Sequence, residues 1–393
     1  MTKIKTNRNN TNKVPPLRFP EFSGEWTKYK VSKLLDFYST NSLSWEQLEY
    51  DTNAIQNLHY GLIHVGLPTM VDLNQNKLPN IKEGSALKNY ELCKEGDVAF
   101  ADASEDTNEV AKAIEFFNLD GAEVVCGLHT IHGRDNNGLT VVGFKGYAFG
   151  STAFHNQIRR IAQGTKVYSI STKNFSECYI GVPCKAEQTK IATLLRLIDA
   201  RISTQNKIIE KLETLIKALS HKLTTQQRPN TRLKDCLTHH SSTLLENDVK
   251  GIGQYPVYGA TGICGYMDKY EISGDSILII KDGASVGSTA YATGRYSTIG
   301  TLNYLRTTQE CYLLPYIYYS LKAFDFRPYI TGMAIPHIYF KDYSKAKIWC
   351  PAVAEQKRIA TTLRTMDTKL QIEHKILRNL ILQKQYLLSN LFI

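Results

Sequence analysis

Pro183-Cys184-Lys185-Ala186-Glu187-Gln188-Thr189-Lys190-Ile191-Ala192-Thr193 and Pro351-Ala352-Val353-Ala354-Glu355-Gln356-Lys357-Arg358-Ile359-Ala360-Thr361 are one stretch written twice, 168 residues apart. The same shift continues through Leu195/Leu363, Arg196/Arg364, Asp199/Asp367, Lys207/Lys375, Ile208/Ile376 and Leu212/Leu380, and ends at Leu219/Leu387 and Leu223/Leu391. Upstream it pairs Arg159 with Arg327, Gly164 with Gly332, Ile170 with Ile338, Lys173 with Lys341 and Phe175 with Tyr343. No gap interrupts this register over about 65 residues, so the chain is an internal duplication.

From Ile191 the apolar positions step by four and three. Leu195, Ile202, Ile209, Ile216 and Leu223 take one seam position; Ile191, Ile198, Gln205, Leu212 and Leu219 take the other. The second copy runs Ile359, Leu363, Met366, Leu370, Glu373, Leu377, Leu380, Lys384, Leu387 and Leu391. A heptad seam of this length predicts a coiled-coil helix in each copy, about 48 Å from Ile191 to Leu223 at ~1.5 Å per residue. Each seam carries one polar residue near its middle, Gln205 and Glu373, the kind that costs stability and sets register. With short links at either end, the two helices are expected to run antiparallel, with Gln205 near Glu373 and one module at each end of a dumbbell with a pseudo-twofold axis.

The segments before the helices agree only in outline. Gly96-Asp97-Val98-Ala99-Phe100 parallels Gly274-Asp275-Ser276-Ile277-Leu278, and both regions read as strands cut by Gly, Asn and Asp turns. The first block is longer, and its middle has no counterpart in the second. The expected fold is therefore α+β: two mixed, strand-rich modules separated by two long antiparallel coiled-coil spacer helices. The expected boundaries are a flexible basic arm at 1–16, a first module at 17–183, a spacer helix at 184–225, a second module at 226–350 and a second spacer helix at 351–393.

Composition narrows the classes. The 393 residues hold 47 Lys plus Arg against 37 Asp plus Glu, a formal charge of +10, and are 42% apolar, which excludes a disordered or collagen-like chain. No apolar run approaches the ~18 residues of a spanning helix, and Ile277–Ile280 reads as a buried strand. The basic, polar start MTKIKTNRNNTNK lacks the apolar core of a secretory signal. The eight cysteines, at 93, 126, 178, 184, 236, 264, 311 and 350, include no CxxC pair, which argues for reduced thiols in a cytoplasmic protein and against a zinc ribbon. The charge is uneven: residues 1–30 carry +5, 31–182 carry −6, 183–228 carry +5, 229–350 carry +2 and 351–393 carry +4. Net charge alone therefore does not establish nucleic-acid binding.

The chain resembles the specificity subunit of type I restriction–modification systems. The resemblance rests on Leu17-Arg18-Phe19-Pro20-Glu21-Phe22, on the repeated helix openings at 183–192 and 351–360, and on Tyr255-Pro256-Val257-Tyr258-Gly259-Ala260-Thr261-Gly262. It rests also on Lys281-Asp282-Gly283-Ala284-Ser285-Val286-Gly287 and Gly332-Met333-Ala334-Ile335-Pro336-His337. It covers about residues 17–393. It implies that each module is a target-recognition domain reading one half of an asymmetric, gapped site in double-stranded DNA, in a bacterial cytoplasm. It implies no catalytic residue and no cofactor in this chain. S-adenosylmethionine, ATP and Mg are expected in the partners: two DNA adenine methyltransferase (modification) subunits and ATP-dependent restriction subunits. The first module lacks the Tyr-Gly-Ala-Thr-Gly turn and is acidic.

A DNA reader needs cations and amides for phosphates and forked Arg, Asn or Gln groups for base edges. The matched pair Arg159 and Arg327 leads the candidates, against the alternative of a local ion pair. Lys281 and Ser285 lie in a Gly-rich loop that either cradles phosphate or merely shapes a hairpin. Tyr258 and Thr261, Arg295 and Asn303 in the second module, and Asn156, Gln157 and Arg160 in the first complete the set, with Gln205 and Glu373 as the helix-pair register. Lys3, Lys5, Arg8 and Lys13 touch phosphates or are solvated. His129-Thr130-Ile131-His132 lacks the Glu and second cluster of HExxH, so no metal is expected there; His239-His240 reads as a solvated loop.

Absences separate the function classes. An adenine methyltransferase needs an (Asn/Asp)-Pro-Pro-(Tyr/Phe) loop, and the only Pro-Pro is Val14-Pro15-Pro16-Leu17. An ATPase needs GxxxxGK[ST], and the chain has no Gly-Lys dipeptide. The alternative from another class is a coiled-coil scaffold with two protein-binding end modules.

Overall fold

The computed structural model describes residues 13–52, 54–85, 87, 90–249 and 251–393. Lys3, Lys5 and Arg8 lie outside these residues; Lys13 is an exposed partner of Glu25 at 2.6 Å. Two compact units emerge, one from the chain up to Thr204 together with Leu377–Ile393, the other from Gln205–Ile376.

In the first unit a sheet is built from β1 (Asp36–Tyr38), β2 (Val98–Ala101), β3 (Ala113–Asn118) and β4 (Thr130–Arg134), in the order β1-β4-β2-β3. These strands pair antiparallel, with His132 opposite Tyr38 and Ala99, and Met70–Asp72 adds a parallel edge to β3. In the second unit β5 (Leu237–Ser241), β6 (Ser276–Ile280), β7 (Thr289–Ala292) and β8 (Leu302–Thr307) take the order β5-β8-β6-β7, again antiparallel. The two orders are the same, so the duplication extends into the strand-rich blocks where sequence similarity has faded. The central strands β2 and β6 are buried at every residue, as their unbroken apolar runs require.

Each unit also has a second, smaller sheet, and here the copies differ. In the first unit Val124–Cys126, Gln56–Leu58, Asn80–Ile81 and Leu48–Glu49 lie side by side; in the second, Gly262–Met267, Tyr255–Gly259, Arg295–Thr298 and Ile272–Ser273 do. His239 and His240 lie in strand β5, not in a loop: His239 stacks on Phe340 at 4.5 Å and His240 on Tyr304 at 4.9 Å.

The register read from sequence reappears in the backbone. Gln163 and Ser169 exchange both amide–carbonyl bonds, and so do Thr331 and His337, 168 residues on. Inside each loop sits one of the matched glycines, Gly164 at φ +139° and Gly332 at φ +90°. A Cβ at either would collide with a backbone carbonyl, that of Val167 or of Ile335, so only glycine fits. Phe175 and Tyr343 fill the same fully buried position.

Helices α1 (Lys185–Thr224) and α2 (Val353–Asn390) carry the heptad seams. In the first unit Ile191, Leu195 and Ile198 of α1 share a core with Leu387 and Leu391 of α2. In the second unit Leu219 and Leu223 pack on the core that holds Ile359 and Leu363. In both, the beginning of one helix meets the end of the other, which is antiparallel packing. Gln205 Nε2 donates to Glu373 Oε2 at 2.6 Å and to the Glu373 carbonyl at 3.1 Å.

The repeated Ala-Glu-Gln opening has a structural reason. Gln188 Oε1 accepts from the Val141 amide, while its Nε2 donates to the Leu139 and Pro183 carbonyls. Gln356 does the same with the Leu313 amide and the Cys311 and Pro351 carbonyls. Each buried glutamine ties its helix to the loop of its own module. A phenol adds a second tie: Tyr147 donates to Asp199 and Tyr319 to Asp367, both at 2.9 Å. Burial first, then the facing carboxylate, pushes both phenols well above the usual tyrosine range. The Leu17–Phe22 stretch belongs to the same construction, since Arg18 clasps the buried Glu187 with two bonds of 2.7 and 2.8 Å. In the second copy Glu355 meets only its own helix neighbour Arg358.

Candidate nucleic-acid interface

In the second unit a cleft of about 460 Å³ opens between β5, the end of β6, β8 and the segment 338–341. His239, Asn303, Lys281, Tyr339, Phe340 and Lys341 line it. The sheet delivers His239 and Asn303 from strands that face each other across β5 and β8. Lys281 follows β6 directly. Its backbone is pinned by its own amide on the Thr301 carbonyl and by Ile338 donating to its carbonyl. That second bond brings 338–341 alongside, and with it the Lys341 ammonium, which lies over the Tyr339 ring at 5.2 Å.

The chemistry is two ammonium groups, an imidazole and a carboxamide, set beside exposed aromatic surface. Asn303 is mostly buried and accepts from the Ser241 hydroxyl at 2.6 Å, which fixes its amide plane. Burial, and secondarily the neighbouring His240, lowers the His239 pKa, so its ring is neutral at pH 7. Asp282 contributes one carboxylate to the rim. Above the cleft, the 331–337 loop is held by Gly283 donating to the Pro336 carbonyl, and its tip presents fully exposed Met333 and largely exposed Ile335.

The sequence candidates divide on this geometry. Lys281 and Asn303 come together in the cleft. Ser285 is exposed on the link between β6 and β7, but the amides of Gly283, Val286, Gly287 and Ser288 all donate to backbone carbonyls. That loop is a hairpin connection; those four amides are committed within the chain. Tyr258, Thr261 and Arg295 sit on the smaller sheet, where Tyr258 lies within a strand, Thr261 at its hairpin tip, and Arg295 over the Tyr270 ring at 5.1 Å. Arg327 lies in a short 3₁₀ turn with both forks on Asp325, at 2.8 and 2.9 Å, and holds that carboxylate below its usual range. The local ion-pair alternative describes it.

In the first unit Asn156, Arg159 and Arg160 share the exposed side of the helix Thr152–Ile161, and Arg159 donates to Asn156 at 2.9 Å. This is a helix and not the turn expected from the Arg159–Arg327 match. Gln157 is spent elsewhere, because its amide both donates to and accepts from the Tyr179 backbone, at 2.7 and 2.8 Å. Lys341, His239 and Phe340 were not among the sequence candidates. The match of Lys173 to Lys341 was the one available signal for the first of them.

Two sheet modules, each tied by one glutamine to an antiparallel helix pair, define a class of duplicated recognition fold. Residues 230–381 match the family model described as the type I restriction modification DNA specificity domain, and so does the cleft that lies within them. The chain is similar to the type I restriction–modification system S subunit from M. genitalium, at 18% identity and TM-score 0.63, over 97% of this chain and 99% of that one. It is also similar, at 15% identity and TM-score 0.57, to a chain from a structure concerned with complex assembly and conformational transition of the type I R-M system, covering 92% and 96%. No curated protein sequence matches the chain. The chain thus has the fold, and in its second half a domain, of a type I restriction–modification specificity subunit. No helix among the described residues is long and apolar enough to cross a membrane.

Proposed function

We propose that this chain is the DNA-recognition subunit of a type I restriction–modification complex and has no catalytic role of its own. Each module reads one half of a gapped site in double-stranded DNA. The observation that carries the reading is the coincidence of the specificity-domain match at 230–381 with a cleft lined by Lys281, Lys341, His239 and Asn303. Lysines supply the sequence-independent phosphate contacts, and a fixed carboxamide suits an adenine edge. The exposed Met333 tip is the type of apolar group that wedges between base steps. Because the two smaller sheets are built differently, the two half-sites differ, and the site is asymmetric.

In the first module Asn156, Arg159 and Arg160 are the contact group, and Tyr258, Thr261, Ser285, Arg295 and Arg327 serve as outer contacts in the second. The helix pair, registered by Gln205 and Glu373, docks two adenine methyltransferase subunits, which bind S-adenosylmethionine, and through them the ATP-dependent restriction subunits. The test is binding of the reconstituted complex to duplex DNA at several salt concentrations. Sequence-selective binding that weakens steeply with salt supports the reading; a coiled-coil scaffold with protein-binding ends would show neither property.

A further inference from the structure

Three potential metal ligands that are far apart in sequence meet inside the first unit. Cys93 precedes β2, Cys126 ends the strand Val124–Cys126, and His132 is the middle residue of β4. All three are buried, His132 completely. Their ligand atoms lie within 4.8 Å of one another, the only such group of three among the described residues, and the two sulfurs are 3.6 Å apart. Two thiolates at ~2.3 Å from one tetrahedral ion would be separated by about 3.8 Å.

The surroundings of His132 are those of a metal-binding imidazole. Its Nε2 lies 2.8 Å from Asp97 Oδ2. Asp97 is itself gripped by Arg134 through two bonds of 2.8 Å and accepts from the Lys94 amide at 2.9 Å. With Nε2–H donated to that carboxylate, Nδ1 carries the lone pair. Nδ1 is buried and has no hydrogen-bond partner. A carboxylate that orients an imidazole from behind, leaving its other nitrogen bare beside two sulfurs, is a second shell without any other use here.

We propose that Cys93, Cys126 and His132 bind one thiophilic d¹⁰ cation, zinc(II) or copper(I), which staples the segment before β2 to the two strands behind it. Two thiolates and a neutral imidazole leave no net charge buried with a zinc ion, and the donor set is the one soft cations select. Binding releases the two thiol protons and changes no oxidation state. The site belongs to the first module alone: the strand that corresponds to β4 in the second unit is β8, and it carries no histidine.

The test uses the full-length chain purified under reducing conditions. Its zinc and copper contents are measured by elemental analysis, and a metal-free sample is titrated with cobalt(II) while the thiolate-to-cobalt charge-transfer absorption is followed. One equivalent of zinc or copper per chain, or one equivalent of cobalt with that absorption, is expected. Affinity should fall at least tenfold in Asp97→Asn and Cys126→Ser, and stay unchanged in Cys178→Ser, which alters a buried thiol outside the group. If those variants fail to fold, native mass spectrometry of the unaltered chain decides. One bound metal with two protons lost supports the site. A metal-free chain that gives no cobalt charge-transfer band, or a Cys93–Cys126 disulfide two hydrogens lighter, overturns it.

Discussion

Gln188 and Gln356, 168 residues apart, make the same three hydrogen bonds in two different modules. Each accepts one loop amide and donates to two carbonyls, and each is fully buried. Removing either side chain strands three backbone groups in the interior. Gln188→Ala or Gln356→Ala should cost about 2–4 kcal/mol in denaturant unfolding. Replacement by Glu keeps the acceptor, loses the donor, and should be no better than Ala. A loss below about 0.5 kcal/mol would show that water replaces these bonds.

The seam pair Gln205 and Glu373 makes a different expectation. Gln205→Leu with Glu373→Leu should leave stability unchanged or raise it by about 1 kcal/mol, because an apolar pair avoids desolvating the amide and carboxylate. Gln205→Ala alone should lower stability, since Glu373 keeps its charge and loses its donor. The role in register is tested by cross-linking cysteines placed along α1 and α2: the double-leucine variant should give additional, shifted cross-links.

Lys281 and Lys341 are expected to meet phosphates. In the assembled complex, Lys281→Ala with Lys341→Ala should weaken binding to every duplex about equally and flatten the slope of log K against log salt by about 2. Asn303→Ala should instead erode discrimination at one position of one half-site. An unchanged salt slope in the double variant would remove the cleft from the interface.

The His239 ring is neutral at pH 7 because its pKa is lowered by burial and then by His240. Protonating it adds a positive charge to the cleft, so DNA affinity should rise as pH falls from about 7 to 5.5, and His239→Gln should flatten that rise. The stability sign is opposite. A histidine with a lowered folded pKa contributes stability that is lost as pH falls below about 6.5. Binding and melting measured across the same pH range should therefore diverge.

Legibility in the sequence followed the range of the interaction. The helices, their antiparallel pairing and the meeting of Gln205 with Glu373 were readable because heptad spacing is local and was printed twice. The buried strand at Ile277–Ile280 was readable from its apolar run, and Gly164 and Gly332 were readable as equivalents because a positive φ tolerates little else. What could not be read were encounters across long loops. Gln157 is consumed by Tyr179, 22 residues away. His239 and Lys341, a hundred residues apart, meet beside Lys281. Cys93, Cys126 and His132 escape any spacing rule because three separate chain segments deliver them. Arg159 and Arg327 show the opposite failure: a sound register match that carries over neither helix nor partner.

The central claim is that this chain chooses a DNA sequence for a methyltransferase that lacks one. Its most direct test is single-molecule sequencing of methylated adenines in a host with and without this gene. The account predicts that one asymmetric, gapped motif loses its methylation when the gene is removed and regains it when the gene is restored. An unchanged pattern of methylated adenines in an otherwise active system would contradict it.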